Sequence, residues 1–193
     1  IKKFFYASSS SVYGDKSKYP VSEKSHLDPK NIYGLSKKFN EEYVNINFNK
    51  KTKYIGLRLF TVYGEWGRPD MLIIKLLEYA KKNKKFYLNN NGEHWRDFTY
   101  ILDVIKICER LMRKNFKKNE IFNICSGKPI HIKKVVEYLS KNINFYKIIN
   151  IKGNNIEVIK THGKNQKILN LVGKINFADL FKKINIISEW HKK

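Results

Sequence analysis

Tyr33 and Lys37 stand four residues apart in the run Tyr33-Gly34-Leu35-Ser36-Lys37, downstream of a serine run at Ser8-Ser9-Ser10-Ser11. Phe39, Tyr43 and Ile46 fall at near-helical spacing, which predicts a helix over 31–49 with those three on its core face. In such a helix the phenol of Tyr33 and the ammonium of Lys37 lie one turn apart on one side. A free tyrosine has a pKa of roughly 10 and is a poor base at neutral pH, and a fixed cation beside it favours the phenolate. A serine hydroxyl held at a strand end completes the set by bonding the oxygen that the tyrosine deprotonates. Chance alone supplies about two Tyr-Lys spacings of this kind in a chain of this composition, so the context must carry the assignment.

The elements that would position these groups follow from the pattern. Residues 1–8 are a short apolar run passing into small polar residues, as in a buried parallel strand that delivers its C-terminal end to a site. In open α/β sheets ligands collect at those ends. Residues 15–30, with Pro20 and Pro29, read as loop. Residues 52–60 read as the next strand, with Tyr54, Ile55, Leu57 and Leu59 apolar, and Arg58 inside it calls for a buried partner or a sheet edge. Pro69 is suited to open a helix and Asp70 to sit at its positive end. Met71 to Tyr79 are too densely apolar for a surface helix.

Further on, Phe86-Tyr87-Leu88 is a short strand, Asn89 to Gly92 a turn, and Arg96 to Tyr100 strand and turn. Asp103 opens a helix over 104–114 whose Ile105, Cys108, Leu111 and Met112 form a core stripe. A strand and turn over 121–127, a helix over 132–139, a strand over 145–149 and a closing helix over 179–190 complete the expectation.

The chain of 193 residues is long enough for a core without metals or disulfides. Its formal charge of +22, from 39 Lys and Arg against 17 Asp and Glu, raises the question of nucleic acid. A basic nucleic-acid-binding or scaffolding domain needs its lysines on one surface with aromatics between them. Here the lysines spread along the whole length among abundant Asn and Ile, as in a solvated coat, so no nucleic-acid partner is expected. Cys108 and Cys125 form no CxxC pair, the histidines show no ligand spacing, and no metal is expected. Unpaired cysteines suit a reducing compartment. No run of about 18 apolar residues offers a membrane span, so the expectation is a cytoplasmic protein with no membrane partner.

Tyr6-Ala7-Ser8-Ser9-Ser10-Ser11-Val12-Tyr13-Gly14, then Tyr33 to Lys37, then Arg58-Leu59-Phe60-Thr61-Val62-Tyr63-Gly64-Glu65-Trp66-Gly67-Arg68-Pro69-Asp70-Met71 occur in that order. With Asn90-Asn91-Gly92 and Arg96-Asp97-Phe98-Thr99-Tyr100, they resemble the extended short-chain dehydrogenase/reductase family of NAD-dependent nucleotide-sugar epimerases and dehydratases. Within that family the likeness is to UDP-glucuronate 4-epimerases. It covers residues 1 to about 132.

The resemblance implies an α/β fold: the C-terminal part of a Rossmann-like doubly wound parallel sheet plus a smaller α/β substrate-binding lobe. Residues 1–68 would belong to the NAD-binding domain, and 69–193 mainly to the substrate lobe with some return to the sheet. The family's glycine-rich GxxGxxG turn is not in these residues, so the expectation is a piece of a longer protein, inactive by itself.

The resemblance also implies NAD as cofactor and a UDP-sugar as substrate, with a homodimer at full length. Tyr33, Lys37 and Ser9 take the catalytic positions. Ala7, Ser8, Tyr33, Lys37 and Phe60 take cofactor-binding positions. Ser10, Thr61, Arg68 and Arg96 take substrate-binding positions, Arg68 toward a sugar carboxylate and Arg96 toward the diphosphate. The implied reaction is 4-epimerisation of UDP-glucuronate or UDP-galacturonate through a 4-keto intermediate. UDP-glucose 4-epimerase and UDP-glucuronate decarboxylase are the neighbouring alternatives. Dehydratases carry an Asp-Glu pair, and decarboxylases a Glu, just before the Val-Tyr-Gly turn, where this chain has Ser10 and Ser11. Cys125 departs from the family pattern by replacing a turn glycine, with consequences expected for the turn's φ angles.

Overall fold

A computed structural model describes residues 1–47, 51–153 and 157–192 of the chain. In chain order the elements are β1 (Lys3–Ser9), a 3-10 turn at Ser10–Val12, α1 (Ile32–Asn47), β2 (Lys53–Leu59), β3 (Thr61–Tyr63), α2 (Leu72–Lys81) and β4 (Phe86–Asn89). A second 3-10 turn at Asn90–Gly92 leads into β5 (Trp95–Tyr100), α3 (Ile101–Met112), β6 (Glu120–Ile124), β7 (Pro129–His131), α4 (Ile132–Asn142), β8 (Ile148–Ile151), α5 (Gln166–Val172) and α6 (Leu180–Lys192).

β1, β2 and β6 form a parallel sheet in that order, with Ser9 level with Leu59 and Leu59 level with Ile124. Side chains alternate across the sheet. On one face Ile55 and Leu57 of β2 with Phe122 and Ile124 of β6 are buried against Val104, Ile107 and Leu111 of α3 and Ile168 and Val172 of α5. On the other face Ser8, Arg58 and Asn123 stand in one register row; α1 covers Ser8 and Arg58 through Glu41, and Tyr13, Val21 and Lys164 hold Asn123. This is the expected doubly wound α/β arrangement, with helices on both faces of a parallel sheet.

A second core joins α2, α4 and α6 to β4 and β5 through Ile74, Leu76, Phe86, Phe98, Val135, Leu139, Ile184 and Ile187. β4 pairs with β8 in parallel, while β3, β5 and β7 form a mixed sheet. Fully buried Asp97 ties this part to the segment after β6. Its carboxylate accepts bonds from Ser126 N at 3.0 Å, Gly127 N at 3.1 Å, Gly163 N at 3.1 Å and Ser126 Oγ at 2.8 Å. Among the described residues no helix is long and apolar enough to cross a membrane.

Several expectations are corrected. Phe39, Tyr43 and Ile46 are 61, 55 and 80% exposed, so they do not form the core face of α1. The inward face is Gly34 and Glu41, because the sheet beneath offers a polar row and not an apolar one. The expected end of this helix at 48–49 lies outside the described residues. Pro69 and Asp70 form a turn and α2 starts at Leu72, because Asp70 pairs with Arg68 and does not serve a helix end. The buried stripe of α3 is Val104, Ile107 and Leu111, with Ile105 and Met112 exposed. Asp103 there accepts from Ala178 N at 2.8 Å, holding the approach to α6 and not capping its own helix. The strand expected at 145–149 is β8, three residues later, and Phe145 is a buried core residue. β7 and α5 carried too short a pattern to be anticipated.

Candidate active site

The site begins where β1 stops. Ser9 caps the 3-10 turn: its Oγ accepts from Ser11 N and donates to Ser11 Oγ, both at 3.1 Å. That turn exists to let α1 come in close. A Cβ on Gly34 would stand 2.5 Å from Ser11 O, so only glycine permits this approach of helix to serine turn. The helix start is capped by Asn31, whose Oδ1 accepts from Gly34 N at 2.8 Å. Tyr33 is thereby set on the first turn of α1, half-exposed, beside the serine run.

One turn later Lys37 Nζ donates to the main-chain oxygen of Ala7 at 3.0 Å and lies 5.7 Å from the centroid of the Tyr33 ring. The ammonium is held between phenol and strand, as the spacing predicted. Ser8 points to the opposite side of β1 from Ser9, and its Oγ donates to buried Glu41 of α1. Its side chain therefore faces the sheet–helix interior, while the residue still borders the cleft.

Beneath α1, Arg58 donates to Glu41 from Nε at 2.9 Å and from Nη2 at 2.6 Å. Its Nη1 donates to Tyr13 Oη at 2.8 Å, and Tyr13 Oη donates to Asn123 Oδ1 at 2.6 Å. This answers the strand-interior arginine: it is a buried pair. Burial opposes its charge, but the bonds to Glu41 and the field of Tyr13 outweigh this and raise its pKa. Burial pushes the Tyr13 phenol up to about 12, against the lowering influence of Arg58. Tyr6 is also raised to about 12, by burial first and the Glu41 charge second.

A cleft of about 590 Å³ opens over the C-terminal ends of β1 and β2. Ala7, Ser8, Ser9, Ser10, Tyr33, Phe60, Thr61, Arg68 and Arg96 all line it, and Lys37 reaches its wall through Ala7. The sequence-predicted site residues are thus brought together from five stretches of chain. A neighbouring hollow of about 470 Å³ shares Thr61, Gly64, Gly67, Met71, Arg96 and Glu157 with the cleft, so the two run together into a trough. Both volumes are typical of small-molecule sites.

Arg68 lies on the lip, 68% exposed at its side chain, with its fork already on Asp70 at 2.9 and 2.5 Å. The Asp70 bonds raise the Arg68 pKa and lower that of Asp70. Arg96 donates from Nη1 to Trp95 O at 3.0 Å and Ile159 O at 3.2 Å, and burial lowers its pKa. Beside it Glu157 accepts from Asn89 Nδ2 at 2.6 Å, with His94 Nε2 3.8 Å away.

Sequence reasoning missed Glu41, Glu65, Trp66, His94 and Glu157. Trp66, 86% exposed with a left-handed φ of 61°, is an uncommon conformation on the cleft wall. Glu65 accepts from Tyr100 Oη at 2.9 Å. Neither Glu157 nor His94 sits in a local pattern that points to the trough. The Cys125 departure is harmless to the turn: the left-handed position there is Gly127, at φ 75°, and the backbone at 125 is not left-handed. Burial lifts the Cys125 thiol well above its ordinary value, which removes it as a nucleophile.

The chain is 42% identical over 146 residues to Uncharacterized protein MJ1055 of Methanocaldococcus jannaschii, covering 75% of this chain and 44% of that protein. It is 37% identical over 155 residues to UDP-glucuronate 4-epimerase 4 of Arabidopsis thaliana, covering 72% of this chain and 36% of that protein. Among solved structures, UDP-glucuronic acid 4-epimerase from Bacillus cereus, in complex with UDP-glucuronic acid and NAD, superposes with a TM-score of 0.89 at 28% identity. That match covers 98% of this chain and 61% of that one. The chain spans less than half the length of these curated relatives. A family model matches residues 1–125, well over half of the chain, and with the site geometry it gives one conclusion: this chain belongs to the NAD dependent epimerase/dehydratase family.

Proposed function

We propose that the protein carrying this chain is an NAD-dependent epimerase that inverts carbon 4 of a UDP-hexuronic acid, UDP-glucuronate or UDP-galacturonate. The observation that carries the reading is the Lys37 ammonium fixed between Tyr33 and the Ala7 carbonyl, two residues that line one cleft with Ser9 and Arg68. In this reading residues 1–68, with β6 returning beside β2, belong to the dinucleotide side, and 69–193 mainly to the substrate lobe.

The residues present fit the nicotinamide end of the cofactor. They offer a half-exposed phenol, an anchored ammonium, the C-terminal edge of a parallel sheet and buried Phe60 behind it. When bound, NAD supplies reversible hydride acceptance at the sugar's carbon 4. Tyr33 Oη takes the proton from O4 as that carbon is oxidised and returns it at the end. Lys37 stabilises the negative form of the ring. Ser9 Oγ–H, on Ser11 Oγ in this structure, turns to donate to O4. Arg68 exchanges Asp70 for the sugar carboxylate, with which it makes the same fork of two bonds. Held there, the carboxylate is kept from leaving as carbon dioxide at the β-keto acid stage. Arg96 faces the diphosphate. Ser10 and Ser11 stand where a decarboxylase or dehydratase needs a carboxylate, which favours epimerisation over both.

The same reading makes the protein a cytoplasmic homodimer, with Leu35, Phe39 and Ile46 on the outward face of α1 as apolar area for pairing. The isolated 193 residues, without a glycine-rich turn, are expected to bind NAD weakly and to be inactive. The test is turnover of UDP-glucuronate by the complete gene product and by its Tyr33→Phe variant. The variant should lose at least 10²-fold in kcat and still bind the UDP-sugar. An undiminished rate would remove Tyr33 as the base.

A further inference from the structure

The face of α1 that meets the sheet holds a carboxylate where an apolar residue would ordinarily sit. Glu41 is 3% exposed, four residues beyond Lys37 and eight beyond Tyr33, so all three lie on one side of the helix. Its Oε1 accepts from Ser8 Oγ and from Arg58 Nε, and its Oε2 from Arg58 Nη2. Three successive residues of β1 therefore have linked duties. Ala7 O receives Lys37, Ser8 holds Glu41, and Ser9 faces the cleft. Arg58 is itself fixed from behind by Tyr13 Oη and by the main-chain oxygen of Glu23 at 3.1 Å, and Tyr13 by Asn123. A carboxylate gripped from two strands leaves α1 unable to slide along β1 or to roll on it.

We infer that Glu41, seated on Ser8 and Arg58, is a positioning residue: it fixes the register of α1 against β1 and so sets Tyr33 and Lys37 opposite Ser9. The inference rests on the roles given to those three residues above. A buried ion pair is a weak source of stability compared with apolar packing of the same volume, whereas its bond directions define one geometry. The exposed apolar residues on the outward face show that this helix is not seated by hydrophobic pattern.

The test uses the complete gene product, its Glu41→Gln variant, which keeps the volume and loses the charge, and Ser8→Ala, which cuts only the link to β1. On UDP-glucuronate, Glu41→Gln should lower kcat about tenfold or more with KM within about twofold, because the nucleotide end is held elsewhere. Ser8→Ala should show the same split to a smaller degree. Hydrogen exchange at amides 34–38 should rise about tenfold in both variants, with β4 and α4 unchanged. Unchanged kcat per folded molecule with a lower Tm, or exchange that rises evenly across the chain, would overturn the inference and leave the pair as core structure. If the unsubstituted protein turns over no UDP-sugar, the functional reading fails, and the exchange pattern alone decides the positioning role. If Glu41→Gln does not fold, Ser8→Ala carries the test with the Glu41–Arg58 pair intact.

Discussion

Gly34→Ala separates the positioning of the site from the stability of the fold. The added Cβ would lie 2.5 Å from Ser11 O, 2.9 Å from Pro29 Cβ and 3.1 Å from Ser11 C. Ordinary contact begins at 3.4 Å, so the start of α1 must retreat by about 0.9 Å, and neither obstacle is the end of a flexible side chain. Overpacking of this kind costs about 1–3 kcal/mol. Replacing a helical glycine by alanine returns about 0.5–1 kcal/mol, so the net loss of stability should be about 0–2.5 kcal/mol. Tyr33 precedes Gly34 and moves with it. A displacement near 1 Å at a reacting group can lower the rate by about 10²-fold. Urea unfolding and steady-state turnover of UDP-glucuronate on the same preparations should therefore diverge: a small shift in midpoint beside a large fall in kcat. A kcat within twofold of the parent, with the serine turn unmoved in a crystal structure, would refute the argument that this glycine sets the approach of helix to turn.

Arg68→Ala should weaken a UDP-hexuronate more than a neutral UDP-hexose, by about tenfold in KM, since a bond to a charged group contributes about 1.5–3 kcal/mol and the lost Asp70 pairing offsets part of it. Equal losses for the two substrates would refute the carboxylate role. His94 is buried, and burial first, then Arg96, holds its pKa below its ordinary 6.5. The unfolded chain takes up a proton that the folded His94 resists. This contribution to stability is therefore full above pH 6.5 and is lost as the pH falls through 6.5 toward the folded value. Tm should drop between pH 7.5 and 5.5, and His94→Gln should flatten that drop; an identical slope in the variant would assign it to other groups. Asp97→Ala leaves the amides of Gly127 and Gly163 without their acceptor, while Ser126 N keeps Thr99 Oγ1 at 3.2 Å, and should cost more than about 2 kcal/mol in urea unfolding, at about 1–3 kcal/mol for each unpaired buried group. A loss below about 1 kcal/mol would show that the clamp is replaceable.

What could be read from the chain depended on how local the determinant is. Tyr33 and Lys37 belong to one helical turn, so their spacing announced the pair before any coordinates. The strands at β1 and β2 and the helices α2, α4 and α6 were legible because apolar runs of that length have few other places to go. Arg58 was flagged as needing a partner, yet nothing near it in sequence named Glu41, 17 residues away. His94, Glu157 and the Asp97 clamp are joined over separations of 29 to 68 residues, distances at which a one-dimensional pattern carries no information.

Of the patterns that failed, the apolar stripe expected on α1 is the most instructive for the site. Phe39, Tyr43 and Ile46 have the periodicity of a buried stripe, and hydrophobic burial at about 25 cal/mol per Å² would turn them inward if the sheet offered an apolar face. It does not: Ser8, Arg58 and Asn123 form a polar row in register across three strands, and burying that row under leucine or phenylalanine would leave a guanidinium without a counter-charge. Breaking such a pair costs about 3–5 kcal/mol, the same order as the burial that these three partly exposed side chains give up. The helix therefore seats Glu41 and Gly34 inward and leaves its apolar residues outside. The same choice brings Lys37 to the Ala7 carbonyl and Tyr33 to the serine turn, so the polar row of the sheet, and not the apolar pattern of the helix, determines where the phenol stands.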